Sequence, residues 1–189
     1  MAASALVFSS VASARDIWRG DSWDQGKTFW KSLIEAPWYG GAAAGLNTPA
    51  AETYENGTGG FFYIGREISH RVFAEAGYST LGTFELSTDA TTEVDVTGFY
   101  AALTGESIPV EKYNLIFVGR IAAYNYTSEG VLAGVDQGEI ADGTAAMFSF
   151  GIEWRALPSF SLTADMTTVN GVVGSGWTNG AAFGVKARF

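Results

Sequence analysis

The sequence has no cysteine and a single histidine, His70. Disulfide scaffolds, thiol nucleophiles and cysteine zinc sites are therefore excluded, and any metal centre or catalytic triad is limited to one imidazole. Basic residues are also scarce. Eleven Lys and Arg against 20 Asp and Glu leave a net charge of −9, the wrong sign for neutralising phosphates, so nucleic acid is excluded as a partner. Charged residues of both signs make up only 16% of the 189, where about a quarter is ordinary. Past the N-terminus no run approaches the ~20 apolar residues of a membrane helix, and mean hydropathy is only +0.10.

What is present instead is 14% aromatic residues and 24 glycines. Apolar residues that never form long runs must be interleaved with polar ones, and interleaving at a period of two is the mark of strands with two unlike faces. From Trp38 onward the chain divides into eight such segments of the ~9–11 residues a tilted strand needs to cross a bilayer. They are Trp38–Leu46, Gly60–Glu67, Val72–Leu81, Val94–Thr104, Asn114–Tyr126, Ala145–Ala156, Phe160–Val169 and Thr178–Phe189. In the sixth, Ala146, Phe148, Phe150, Ile152 and Trp154 share one face, with Ser149, Gly151, Glu153 and Arg155 on the other.

The connections alternate too. Long polar stretches follow the odd-numbered segments and short joints follow the even ones, as at Ile68–Arg71, Gly105–Tyr113 and Leu157–Ser159. Short turns on one rim and long loops on the other is the arrangement of an outer-membrane barrel, with both termini on the periplasmic side. The long stretches hold Glu52, Glu55, Glu85, Asp89, Glu93, Glu129, Asp136, Glu139 and Asp142 and no Lys or Arg, so the outward rim is acidic. Such a rim suits cation bridging to lipopolysaccharide or simply a solvated surface. Trp38, Tyr39, Tyr63, Tyr78, Tyr113, Trp154, Trp177 and Phe189 fall near segment ends and are expected to form the aromatic girdles of the bilayer interfaces. A soluble lipocalin-like barrel or sandwich would alternate as well; the aromatic positions and the N-terminus favour the membrane.

Residues 1–14 are small and uncharged and end in Ala12-Ser13-Ala14, which predicts the remnant of an export signal. Residues 15–37 predict an amphipathic periplasmic helix opened by the capping box Ser22-Trp23-Asp24-Gln25 and closed by Pro37. Trp23, Phe29, Trp30, Leu33 and Ile34 form its apolar side, facing the membrane or another membrane protein. Residues 38–189 form the all-β, eight-stranded antiparallel transmembrane barrel.

The order of several motifs resembles the OmpA-like transmembrane domain family. They are Trp38-Tyr39-x-Gly41-Ala42, Phe73-x-Glu75-x-Gly77-Tyr78 with Leu81-Gly82, Arg120, Gly151-Ile152-Glu153-Trp154 and the terminal Gly184-Val185-Lys186-Ala187-Arg188-Phe189. The resemblance implies a lumen packed with ion pairs, with Glu75, Arg120 and Glu153 among them. Alternation adds Arg66, Asp165, Lys186 and Arg188, because a charge facing lipid is costly. Thr163 stands where the family has an arginine that pairs with the strand-3 glutamate, leaving Arg120 or Lys186 to take that role. The resemblance also implies that Phe183, Val185, Ala187 and Phe189 are the signal read by the outer-membrane assembly machinery.

The expected role is structural or interactive: envelope integrity, adhesion through the acidic loops, or membership of a larger membrane assembly. A narrow pore is a second reading, since Gly41, Ala43, Gly45 and Ala122 leave interior space. A lipid A-modifying enzyme is a third; His70 falls in an inner-side turn, away from outer-leaflet substrates, so no catalytic residue is assigned. No cofactor or metal is expected, since Asp136-Gln137-Gly138-Glu139 lacks EF-hand spacing. Outer-membrane lipid and lipopolysaccharide are the expected surroundings.

Overall fold

The computed structural model describes residues 37–49, 51, 53–86, 89–132, 135–172 and 176–189. The expected export-signal remnant and all of the amphipathic segment except Pro37, with Trp23, Phe29, Trp30, Leu33 and Ile34, lie outside the described residues. Eight strands follow in chain order: β1 (Trp38–Thr48), β2 (Gly57–Ser69), β3 (Val72–Leu86), β4 (Asp89–Glu106), β5 (Leu115–Leu132), β6 (Val135–Leu157), β7 (Phe160–Asn170) and β8 (Trp177–Arg188). Each pairs antiparallel with its sequence neighbours, and β1 pairs with β8 to close the barrel. The seam ends in two reciprocal backbone hydrogen bonds of 2.9 Å, each N–H of Trp38 and Phe189 donating to the other's carbonyl.

The register sets the shape. From Trp154 on β6 the paired residues run through Leu162, Val185, Ala42, Phe62, Tyr78, Phe99 and Asn125 and return to β6 at Thr144, ten residues further up. Eight strands with that stagger tilt by about 40° and leave a bore that side chains fill. Each residue then climbs roughly 2.5 Å along the barrel axis.

The faces are inverted relative to a water-soluble barrel. Phe62, Phe99, Ile121, Phe150, Met166 and Phe183 point outward and are each at least 59% exposed, while Glu75, Arg120, Glu153, Asp165 and Lys186 are buried in the bore. On β6 the outward apolar series runs from Trp154 to Ala146 and stops at Thr144, which accepts a 3.4 Å hydrogen bond from Asn125. Nine residues at that rise span roughly 22 Å, close to the apolar band of such barrels. The residues of the expected assembly signal also lie on the outward side of β8, with Phe183 75% and Phe189 72% exposed.

Two expectations need correction. The polar stretches after β3 and β5 are mostly strand: pairing continues to Leu86↔Asp89 and to Leu132↔Val135. The cause is the β-branched series Val94, Val96 and Thr97, which continues the alternation although its neighbours are acidic. Glu85, Asp89, Glu93, Glu129, Asp136, Glu139 and Asp142 thus stand on strands. Tyr39 and Tyr63 do not belong to the girdle. Both are buried in the bore, because a strand's inward parity overrides its nearness to an end.

Candidate functional site: a charged lumen and a one-sided outer sheet

The bore is organised in three layers. At the outer end Leu81, Phe84, Val94, Val96, Tyr124, Met147, Val169 and Val172 form a buried apolar core. Below it lies the first ionic cluster. Glu75 from β3 meets Arg120 from β5 at 2.7 Å, and Arg120 reaches Asp165 from β7 at 3.9 Å. The phenols of Tyr39 and Tyr100 donate to Glu75 at 2.9 and 3.0 Å, and Arg120 donates to Ser149 Oγ at 3.2 Å.

The tyrosines fit because their cross-strand partners are glycines. Tyr39 pairs with Gly65, Tyr63 with Gly41 and Tyr100 with Gly77. In each case the ring occupies the place a side chain on the glycine would take. The interior space expected at Gly41 is therefore filled by Tyr63.

The second cluster lies toward the turns. Glu153 of β6 is fully buried and meets Lys186 at 2.9 Å, Arg188 at 2.6 Å and Arg155 at 3.4 Å. Glu106 of β4 meets the same three cations at 2.8, 3.1 and 3.2 Å. Ser161 donates to Glu153 at 2.8 Å. Lys186 Nζ also lies 4.2 Å from the centre of the Tyr39 ring, which joins the two clusters. Together Glu75, Asp165, Glu106 and Glu153 balance Arg120, Arg155, Lys186 and Arg188, four charges of each sign, as a low-dielectric bore demands.

Of the seven lumen residues named from the sequence, six meet here: Glu75, Arg120, Glu153, Asp165, Lys186 and Arg188. Arg66 does not. The inward residues of β2 are Gly59, Tyr63 and Gly65, so Arg66 has outward parity and lies over the ring of its β1 partner, Trp38, at 4.8 Å. Glu106 and Tyr100 are not among the seven, and Arg155, which alternation puts on the face of Glu153, joins the same cluster. Glu106 had been placed in the joint after β4; the inward series Val96, Tyr100, Ala102, Thr104, continued by two residues, would have found it.

Between the apolar core and the first cluster is a cavity of about 30 Å³ bordered by Gly59, Leu81, Tyr100, Arg120 and Met147. At the turn end an open vestibule of about 380 Å³ is lined by Trp38, Tyr39, His70, Glu106, Arg155 and Arg188. The two ionic clusters stand between these spaces. His70 sits in the β2–β3 turn, and among the described residues no group of three or more His, Cys, Asp or Glu is placed to hold a metal ion.

Above the belt the barrel is lopsided. β1, β2, β7 and β8 have 11 to 13 residues and end near the bilayer boundary. β4, β5 and β6 have 18, 18 and 23, and with β3 they rise as a continuous four-stranded sheet. Its β6 edge is open: β7 joins β6 only at Met147↔Val169, so among the described residues Glu139 to Ala146 have a strand neighbour on the β5 side alone. The sheet's sequence, residues 82–97 and 127–145, has eight acidic residues and no basic one.

No family model matches the sequence, and no curated protein matches it significantly. Solved structures do match in fold. Neisserial surface protein A aligns with a TM-score of 0.64 at 11% identity over 82% of this chain and 97% of that one. Ail, the attachment invasion locus protein of Yersinia pestis, aligns at 0.53 and 11% over 82% and 97%. The N-terminal β-barrel domain of Pseudomonas aeruginosa OprF aligns at 0.54 and 14% over 80% and 97%. With its apolar outer belt and charge-balanced bore, the chain has the fold of the eight-stranded outer-membrane β-barrels, the OmpA-like fold.

Proposed function

We propose that the protein is an outer-membrane interaction protein, in which the barrel is a closed anchor and the sheet raised by β3–β6 is the binding element. The observation that carries this reading is the lopsided strand length. An anchor alone needs ~10 residues per strand, yet ten further residues of β6, from Thr144 to Val135, lie above the apolar belt and span roughly 25 Å. An open sheet edge exposes backbone N–H and C=O groups that pair readily with an extended segment of a partner. Glu139 and Asp142 on that edge discourage a second copy of the same acidic sheet and favour a partner that brings Lys or Arg. That one fold relative is described as an attachment protein agrees with this role.

The bore argues for anchoring over transport. A permeating ion would have to part carboxylates and cations held at 2.6–3.4 Å and then pass the apolar core. The test is to remove the tip of the β5–β6 hairpin, residues 129–141, and compare binding of cells carrying each form to surfaces coated with basic and acidic proteins. Binding to the basic surface should fall with the truncation while the barrel remains folded. Unchanged binding by a folded truncated barrel contradicts the proposal.

A further inference from the structure

The raised sheet has two edges, and the chain treats them differently. At the β3 edge the connection between β1 and β2 folds back: the N–H of Glu55 donates to the carbonyl of Glu85 at 2.8 Å, and Tyr54 forms an antiparallel bridge with Leu86. At the β6 edge no described residue pairs with Glu139 to Ala146 on the side away from β5. An edge is a row of N–H and C=O groups ready to pair with another chain, so the β6 side is the one on offer.

The outward face of the same sheet holds like charges in register. Asp95 of β4 stands opposite Glu129 of β5, which stands opposite Glu139 of β6. Directly opposed like charges destabilise a sheet. With strands about 4.8 Å apart, this row runs straight to the open edge, where its next place belongs to a residue of an added strand. Ile140 is skipped in the pairing with β5, which keeps Asp142 on the same face as Glu139. The inward side of the edge is small by contrast. Ala141, Gly143 and Ala145 alternate there, and the Tyr126 ring stands against Gly143 with its hydroxyl donating to the Gly171 carbonyl at 3.3 Å.

We propose that the β6 edge takes up, by strand addition, an extended segment of another protein in which Lys or Arg alternates with apolar residues. Its cations fall beside Glu139 and Asp142 and relieve the carboxylate row; its apolar residues fall beside Gly143 and Ala145, against the rim of the Tyr126 ring. Each barrel takes one such segment, because its other sheet edge is covered by its own chain. The inference rests on the raised sheet being the binding element and adds how the partner binds and what sequence pattern it carries.

The test uses the purified full chain in mild detergent and four fluorescent peptides read by anisotropy: an alternating Lys-Val peptide, its backbone N-methylated form, a block Lys-Val peptide of the same composition and an alternating Glu-Val peptide. The alternating Lys-Val peptide should bind, its N-methylated form about tenfold more weakly or worse, the block peptide more weakly and the Glu-Val peptide not at all. Glu139→Gln/Asp142→Asn should weaken the alternating peptide about tenfold. Glu85→Gln, on the covered edge, should change it less than about twofold, since that charge lies more than a screening length away. Equal binding of the alternating, block and N-methylated peptides, no binding of any of them, or an equal loss from Glu85→Gln would overturn the proposal. If the double variant does not fold, the four peptides on the parent protein decide the matter. Loss of basic-surface binding on removing residues 129–141, together with equal binding of the peptides, would keep the raised sheet as the binding element and overturn strand addition alone.

Discussion

Glu106 and Lys186, 80 residues apart in sequence, meet at 2.8 Å inside the barrel. The pair joins β4 to β8 across the bore and places a carboxylate beneath the three cations Lys186, Arg155 and Arg188. Removing one carboxylate leaves Glu153 alone against that triad. Breaking a buried ionic group by deleting one partner costs about 3–5 kcal/mol. Glu106→Gln should lower the urea midpoint of the folded barrel accordingly; a loss below about 1 kcal/mol would mean that water screens the cluster through the vestibule.

Glu75→Gln in the first cluster should cost a similar amount, about 3–5 kcal/mol, because Arg120 would keep Asp165, at 3.9 Å, as its one carboxylate partner among the described residues. The double variant Glu75→Gln/Arg120→Met should lose less than the sum of the two single changes. A double-mutant cycle by chemical unfolding measures the coupling, and strict additivity would show that the 2.7 Å contact contributes nothing.

Glycine positions give a paired prediction. A methyl group on Gly65 would enter the Tyr39 ring, whereas nothing lies within 4 Å of one on Gly119. Gly65→Ala should destabilise by about 1–3 kcal/mol. Gly119→Ala should be neutral or slightly stabilising, by up to about 1 kcal/mol, since alanine restricts the unfolded chain more than glycine does. Thermal unfolding in the same detergent compares them directly.

The way the sequence reveals this molecule follows from the same physics. Strand positions were readable because lipid outside and charge inside impose opposite demands on alternate residues, as with Phe148, Phe150 and Ile152 against Ser149 and Glu153. Parity also identified Asp165, Lys186 and Arg188. It does not extend to Arg66, which has the outward parity of Phe62 and Ile64 and escapes much of the cost of a lipid-facing charge because it stands three residues from the end of β2. Tyr39 and Tyr63 turn inward because the glycines that accept their rings lie on neighbouring strands, a relation visible only in the register. Glu106 was lost where a strand outlasted its apolar residues.

Lipid contact and solvent contact on β6 can be separated with two lysines. Phe150→Lys places a charge within the apolar belt and should cost about 2–4 kcal/mol, while Ile140→Lys, on the raised sheet, should be within about 0.5 kcal/mol of the parent. Equal costs at both positions would mean that the sheet is embedded in the bilayer.

The central claim is that β3–β6 stand outside the cell on a barrel whose turns face the periplasm. The absence of native cysteine makes it directly measurable. Single variants Glu129→Cys, Ile140→Cys, Ile121→Cys and Ser159→Cys, exposed on intact cells to a membrane-impermeant maleimide, report one location each. Positions 129 and 140 should label on intact cells, position 159 only after the outer membrane is permeabilised, and position 121 in neither case. Labelling of position 159 on intact cells, with 129 and 140 protected, would contradict the orientation and the binding role built on it.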